Sequence, residues 1–139
     1  MERIVIGIDG SDESRNALKW ALDEARLRRA SIEVVYAWQP PYAGGYPFAM
    51  PPYDDAGLDK DAHALVEHML GQADTTNLVE PVQTTVVCGS ASAALLERAE
   101  DATLLVVGAR GRGGFSRLML GSVSSQLVHH APCAVVVVR

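Results

Sequence analysis

Cysteine, phenylalanine and tryptophan each occur only twice in these 139 residues, and aromatics make up 6% of the chain. The two cysteines, Cys88 and Cys133, form no C-x-x-C pair, which excludes a disulfide scaffold, a zinc ribbon and a thioredoxin-type redox motif. Each sits at one end of an apolar run and reads as a small buried hydrophobe, with a redox role as the second reading. No apolar stretch approaches the roughly 20 residues that span a bilayer, and the N-terminus has no secretory pattern, so a reduced, cytoplasmic protein with no membrane partner is expected. Basic residues are also in deficit. Twelve Lys and Arg against 17 Asp and Glu leave a formal charge of −5, which argues against nucleic acid as a partner.

What is present is an ordinary globular composition, 48% apolar and 21% charged, and the length suits one domain over residues 1–139. Short Val/Ile-rich runs at 3–8, 32–37, 82–88, 103–108 and 133–138 read as strands. Helical patterns fill 13–29, 58–73, 91–100 and 122–129. This alternation predicts an α/β fold, a doubly wound five-stranded parallel sheet with helices on both faces. Residues 38–55 interrupt it as a long loop, whose 38–53 part holds five of the seven prolines and three of the four tyrosines. It reads as a lid, a partner surface or a mobile excursion.

The chemistry concentrates after the fourth strand, in GARGRGGFSRLMLGSVS from Gly108 to Ser124. A buried strand opening into a Gly/Arg loop and then a Ser-rich helix start outlines a phosphate cradle. It is not a Walker loop, because Gly114 and Phe115 stand where Lys and the hydroxyl belong. Nor does the first strand, ending in Ile8, Asp9, Gly10 and Ser11, carry the G-x-G-x-x-G of a dinucleotide-type Rossmann domain.

Gly108, two residues, Gly111, nine residues, Gly121 and then Ser122 is the spacing found in the universal stress protein family. The chain also resembles that family in IVIGIDGSDES at the start, in LLVVGARGRGG, and in GSVSSQLVHHAPCAVVVV near the end. Ala134 departs from it, standing where a second proline is common. The resemblance covers nearly the whole chain and implies strand order 3-2-1-4-5, a stress-response role and ATP as cofactor, other adenine nucleotides remaining open. In that order the carboxyl ends of the first and fourth strands diverge, and open α/β sheets bind ligands there.

The candidate cofactor-binding residues follow. Ile8, Asp9, Gly10 and Ser11 lie at the end of the first strand; Asp9 reads as a ribose or Mg²⁺ ligand, or as an acceptor for loop N–H groups, and Ser11 as a helix cap. Gly108, Gly111 and Gly121 are expected to allow close approach and positive φ, with phosphates against Gly111, Arg112 and Gly113 and against Gly121, Ser122, Val123 and Ser124. Arg110, Arg112 and Arg117 read as phosphate ligands or as surface arginines. By resemblance, Val123 adds backbone and Ala37 offers main-chain groups to an adenine edge. Between Gly108 and Ser125 there is no Asp, Glu, His, Asn, Gln or Lys, so the loop carries no water-orienting base and Asp9 is the only nearby carboxylate in view.

Two histidine pairs read as incidental. His129 and His130 project about 100° apart on a helix and suit its C-terminal dipole, and His63 and His68 miss the chelating spacing. The last run, 133–138, is apolar, β-branched and expected at a sheet edge, which predicts a homodimer. Three functions remain open at this point: a nucleotide-binding regulator with little turnover, a slow ATPase or self-phosphorylating enzyme, and a dimeric scaffold that needs no nucleotide.

Overall fold

The computed structural model describes residues 1–39, 55–110 and 120–139. In chain order these form β1 (Arg3–Ile8), α1 (Asp12–Arg28), β2 (Ser31–Trp38), α2 (Asp55–Gly71), β3 (Gln83–Cys88), α3 (Ala91–Ala99), β4 (Leu104–Gly108), α4 (Ser122–His130) and β5 (Ala134–Val138). All pairings are parallel, and the order is β3-β2-β1-β4-β5. The expected fold class and strand order are thus the ones observed. Most of the loop expected at 38–55 lies outside the described residues.

Parallel strands covered on both faces need unbroken apolar runs, and β1 and β4 have them. Side chains alternate between two cores. Ile4, Ile6, Ile8, Ile32, Val34, Leu104 and Val106 face α1 and α2, where they meet Leu18, Leu22, Val66 and Met69. Val5, Val35, Leu105 and Val107 face α3 and α4, where they meet Leu95, Ala99 and Leu127. Helices therefore cover both faces, and burial of each large aliphatic side chain contributes about 2 kcal/mol.

Local signals set the helix ends. Ser11 caps α1 by accepting the Ser14 N–H, Asp12 and Glu13 suit its N-terminal dipole, and Arg29, left-handed at φ 54°, closes it by donating its N–H to Ala25 and Arg26 carbonyls. Its buried positions, Ser14, Ala17, Leu18, Ala21, Leu22 and Ala25, recur at helical spacing along one stripe. The apolar pattern suggests that α2 continues to Ala73, yet the helix stops at Gly71, and the next turn tightens as Ala73 donates to the Leu70 carbonyl.

The ladders end unevenly, and this shapes the top of the sheet. The β1–β4 register stops at Ile6–Val106, whereas β4–β5 continues to Gly108–Val138. On the other side β1–β2 stops at Ile8–Tyr36 while β2–β3 continues to Trp38–Cys88. β2 therefore runs on past the end of β1 to Trp38, while β4 ends level with β1, Gly108 beside Ile8 in the same register, and the two strands part after Ile6–Val106.

Cys88 does not follow the buried reading. It ends β3, an edge strand, and is exposed; Cys133 is half-buried, and burial pushes its thiol pKa up. No helix of the described residues is long and apolar enough to cross a membrane.

Candidate functional site

A cleft of about 430 Å³ opens at the carboxyl side of the sheet. It is lined by Ala37 and Gln39 from the end of β2, by Gly89, Ser90, Ala91 and Ser92 from the turn into α3, and by Ser122, Val123 and Gln126 from the first turns of α4. Of the residues singled out from the sequence, the cleft brings together Ala37, Ser122 and Val123. Gln39, the Gly89–Ser92 turn and Gln126 were not foreseen, because only the placement of α3 beside α4 brings them there. A turn signal, Gly89 followed by the cap Ser90, was present in the sequence and could have drawn attention.

The helix starts at this cleft differ in one respect. Ser90 caps α3 by accepting the Ala93 N–H at 3.3 Å. At α4 the N-cap is Gly121, which has no side chain to do this, so Ser122, Val123 and Ser124 enter the helix without a side-chain cap. An uncapped helix start lined by small residues is where an anion's oxygens can accept N–H groups. Ala37 adds main-chain groups beyond the last β1–β2 pair.

The remaining described candidates do not line this cleft. Gly121 donates its N–H to the Ala109 carbonyl at 2.7 Å, and the Ser124 hydroxyl, buried, donates to the same carbonyl at 2.7 Å. These bonds join the two ends of the segment from Ala109 to Gly121, so the Ser124 hydroxyl belongs to the frame rather than facing the cleft. Ile8 directs its side chain into the α1/α2 core. Asp9 Oδ1 accepts the Ser11 N–H at 2.9 Å, and no bond to Oδ2 is made among the described residues. Gly10 has φ +82° and makes the turn into α1 possible.

Two expectations are corrected. Gly121 has φ −65°, and Gly108 is absent from the positive-φ glycines of the described residues, so neither is needed for left-handed backbone. Gly108 is needed for room: a Cβ there would stand 3.1 Å from the Glu13 carbonyl carbon and 3.2 Å from the Ser14 nitrogen. Nor is Asp9 the only carboxylate beside the loop. Glu13 accepts the Arg110 backbone N–H at 2.6 Å and pairs with the Arg110 guanidinium, Nε at 2.9 Å and Nη2 as well. Gly111, Arg112, Gly113 and Arg117 lie outside the described residues.

His129 Nδ1 bonds the Ser125 carbonyl at 2.7 Å at the end of α4, and no cluster of three or more His, Cys, Asp or Glu suited to a metal occurs among the described residues. A second cavity of about 480 Å³ lies between α1 and α2, floored by Leu18, Leu22 and Met69; it shares no residue with the cleft.

Residues 1–139 match the model of the universal stress protein family. Two universal stress proteins of Mycobacterium tuberculosis are 34% identical over 137 residues and 35% over 143; each match covers 98% of this chain but only 45% and 47% of the relative. The chain therefore spans less than half the length of these relatives. Among solved structures, a universal stress protein in complex with cAMP superposes with a TM-score of 0.74 at 24% identity, covering 99% of this chain and 97% of that one. A universal stress protein from Archaeoglobus fulgidus in complex with dAMP gives 0.65 at 20% identity, covering 100% and 98%.

Proposed function

This chain belongs to the universal stress protein family, and we propose that it binds an adenine nucleotide, ATP foremost, in the cleft between β2, α3 and α4 as a stress-response regulator with little or no turnover. The observation that carries this reading is the uncapped start of α4 at Ser122 and Val123, facing the same cleft as the open main chain of Ala37. One end suits phosphate oxygens and the other a base edge. Two structural neighbours were solved with cAMP and with dAMP, which supports an adenine nucleotide as the ligand class.

The residues present fit Mg²⁺ only as a companion of the nucleotide. Asp9, at the carboxyl end of β1, offers one carboxylate whose Oδ1 accepts the Ser11 N–H, and no group of three or more His, Cys, Asp or Glu suited to a metal forms among the described residues. Glu13 does not add a base for water, because both its oxygens are taken by Arg110. A positioned general base typically supplies 10²–10⁴-fold in rate, so its lack keeps turnover far below the roughly 10 s⁻¹ of a median enzyme.

Titration calorimetry on nucleotide-stripped protein tests the binding. ATP with Mg²⁺ should bind, and Ser122→Glu, which places a negative charge at the α4 start on an exposed position, should weaken it by more than tenfold. No heat at millimolar ATP, AMP or cAMP would refute the reading. Single-turnover assays with labelled ATP test the second half: hydrolysis near 1 s⁻¹ that vanishes in Asp9→Ala would make the protein an enzyme. We further infer a homodimer formed through the open edge of β5, as its apolar run suggests.

A further inference from the structure

We propose that Glu13 is a positioning residue for the nucleotide cleft, clamping the exit of β4 to α1, and that Arg110 is the other half of this clamp rather than a phosphate ligand. The inference rests on the nucleotide-binding reading above and assigns a role within it that the glycine spacing does not contain.

Three contacts meet on one carboxylate. Oε2 of Glu13 accepts the Arg110 main-chain N–H, and Oε1 accepts from Nε and Nη2 of the same residue. The pair is largely screened from water, with side chains 17% and 27% exposed. Charge-assisted bonds in that setting hold their partners more firmly than surface pairs do. A main-chain N–H held at 2.6 Å by a carboxylate is not on offer to a phosphate oxygen.

The clamp acts on the cleft through a short chain of contacts. Glu13 fixes Arg110; Ala109, the residue before it, accepts through its carbonyl from Gly121 N–H and Ser124 Oγ; and Gly121 is the N-cap from which Ser122 and Val123 enter the cleft. On the opposite side, Gly108 lets the strand approach the backbone of Glu13 and Ser14 closely enough for the carboxylate to reach. The α4 start is therefore set against α1, across β4, by bonds that all pass through residues 108–110.

A double-mutant cycle separates the clamp from a direct phosphate contact. ATP and AMP affinities are measured by calorimetry for the wild type, Glu13→Ala, Glu13→Gln, Arg110→Ala and the Glu13→Ala/Arg110→Ala double variant, with Arg110 amide hydrogen exchange followed by NMR. Glu13→Ala should lose about tenfold in affinity. Arg110→Ala should lose less, since the main-chain bond to Glu13 survives, and Glu13→Gln, which keeps an acceptor for that bond, should recover part of the loss. The double variant should bind no more weakly than Glu13→Ala, and the Arg110 amide, protected in the wild type, should exchange faster in Glu13→Ala while the fold stays cooperative.

Wild-type affinity in Glu13→Ala, or an Arg110→Ala loss that persists in full in the Glu13→Ala background, would overturn the inference and make Arg110 a direct ligand. Absence of nucleotide binding by the wild type would instead defeat the reading on which the inference rests, and the role in binding would fall with it. An unprotected Arg110 amide in the wild type would refute the clamp itself, whatever the affinities.

Discussion

Single residues at this site carry reasons that differ from those their spacing suggests. Gly108 and Gly121 are in family register, yet neither serves a left-handed turn; Gly108 makes room for the first turn of α1, and Gly121 withholds a cap from α4. Gly10 and Gly89, with φ of +82° and +150°, are the described glycines whose backbone calls for glycine. Gly108→Ala should therefore destabilise the fold by about 1–3 kcal/mol, because its new Cβ meets backbone atoms of Glu13 and Ser14 that have little freedom to retreat. Urea denaturation checks this, and a loss below about 0.5 kcal/mol would mean that the first turn of α1 yields easily. Glycine spacing was legible in the sequence, but which atoms each glycine faces was not, since Glu13 lies 97 residues from Arg110 along the chain.

Among the elements, β2 contains a charge where an apolar run would be expected. Glu33 is 3% exposed, paired with Arg3 from β1, within 3.5 Å of Arg98 near the end of α3, and bonded by the Thr85 hydroxyl of β3. Four elements, β1, β2, β3 and α3, are tied at the amino end of the sheet, opposite the cleft. Arg3→Met removes the closer partner and leaves a buried carboxylate short of charge, so a loss of about 3 kcal/mol is expected in chemical denaturation. Arg98 is 41% exposed and farther away; Arg98→Ala should cost less than about 1 kcal/mol. Equal losses for the two would contradict the weighting by burial. The strand itself was legible from its Val/Ile content, whereas the ion-pair network required knowing that β1 and β3 flank β2.

At the scale of the molecule, β5 leaves an apolar edge. The Val138 carbonyl accepts the Ala109 N–H, so Ala134, Val136 and Val138 turn their main-chain groups toward β4 and Val135 and Val137 turn theirs outward. Strand pairing with a second copy would use those outward groups. Val137→Pro removes one outward N–H and spares the β4 ladder, so a dimer through this edge should dissociate in sedimentation while the protomer stays folded. A dimer mass unchanged in the folded variant would move the interface off β5. Val136→Pro would be the wrong test, because its N–H belongs to the internal ladder.

Alternation of Val/Ile runs with amphipathic stretches was enough, from the sequence alone, to determine a doubly wound α/β domain. Parallel strands need apolar residues on both faces and their crossovers need helices, so composition and periodicity constrain that class directly. The glycine and serine positions pointed to the start of α4 for the same reason, local chemistry written in consecutive residues. Only tertiary structure decided what surrounds that start: the turn from Gly89 to Ser92 across the cleft, the Ser124 hydroxyl turned into the frame, and Glu13 closing on Arg110. Each depends on contacts between segments that the fold brings together, and no local run of residues encodes which groups meet there.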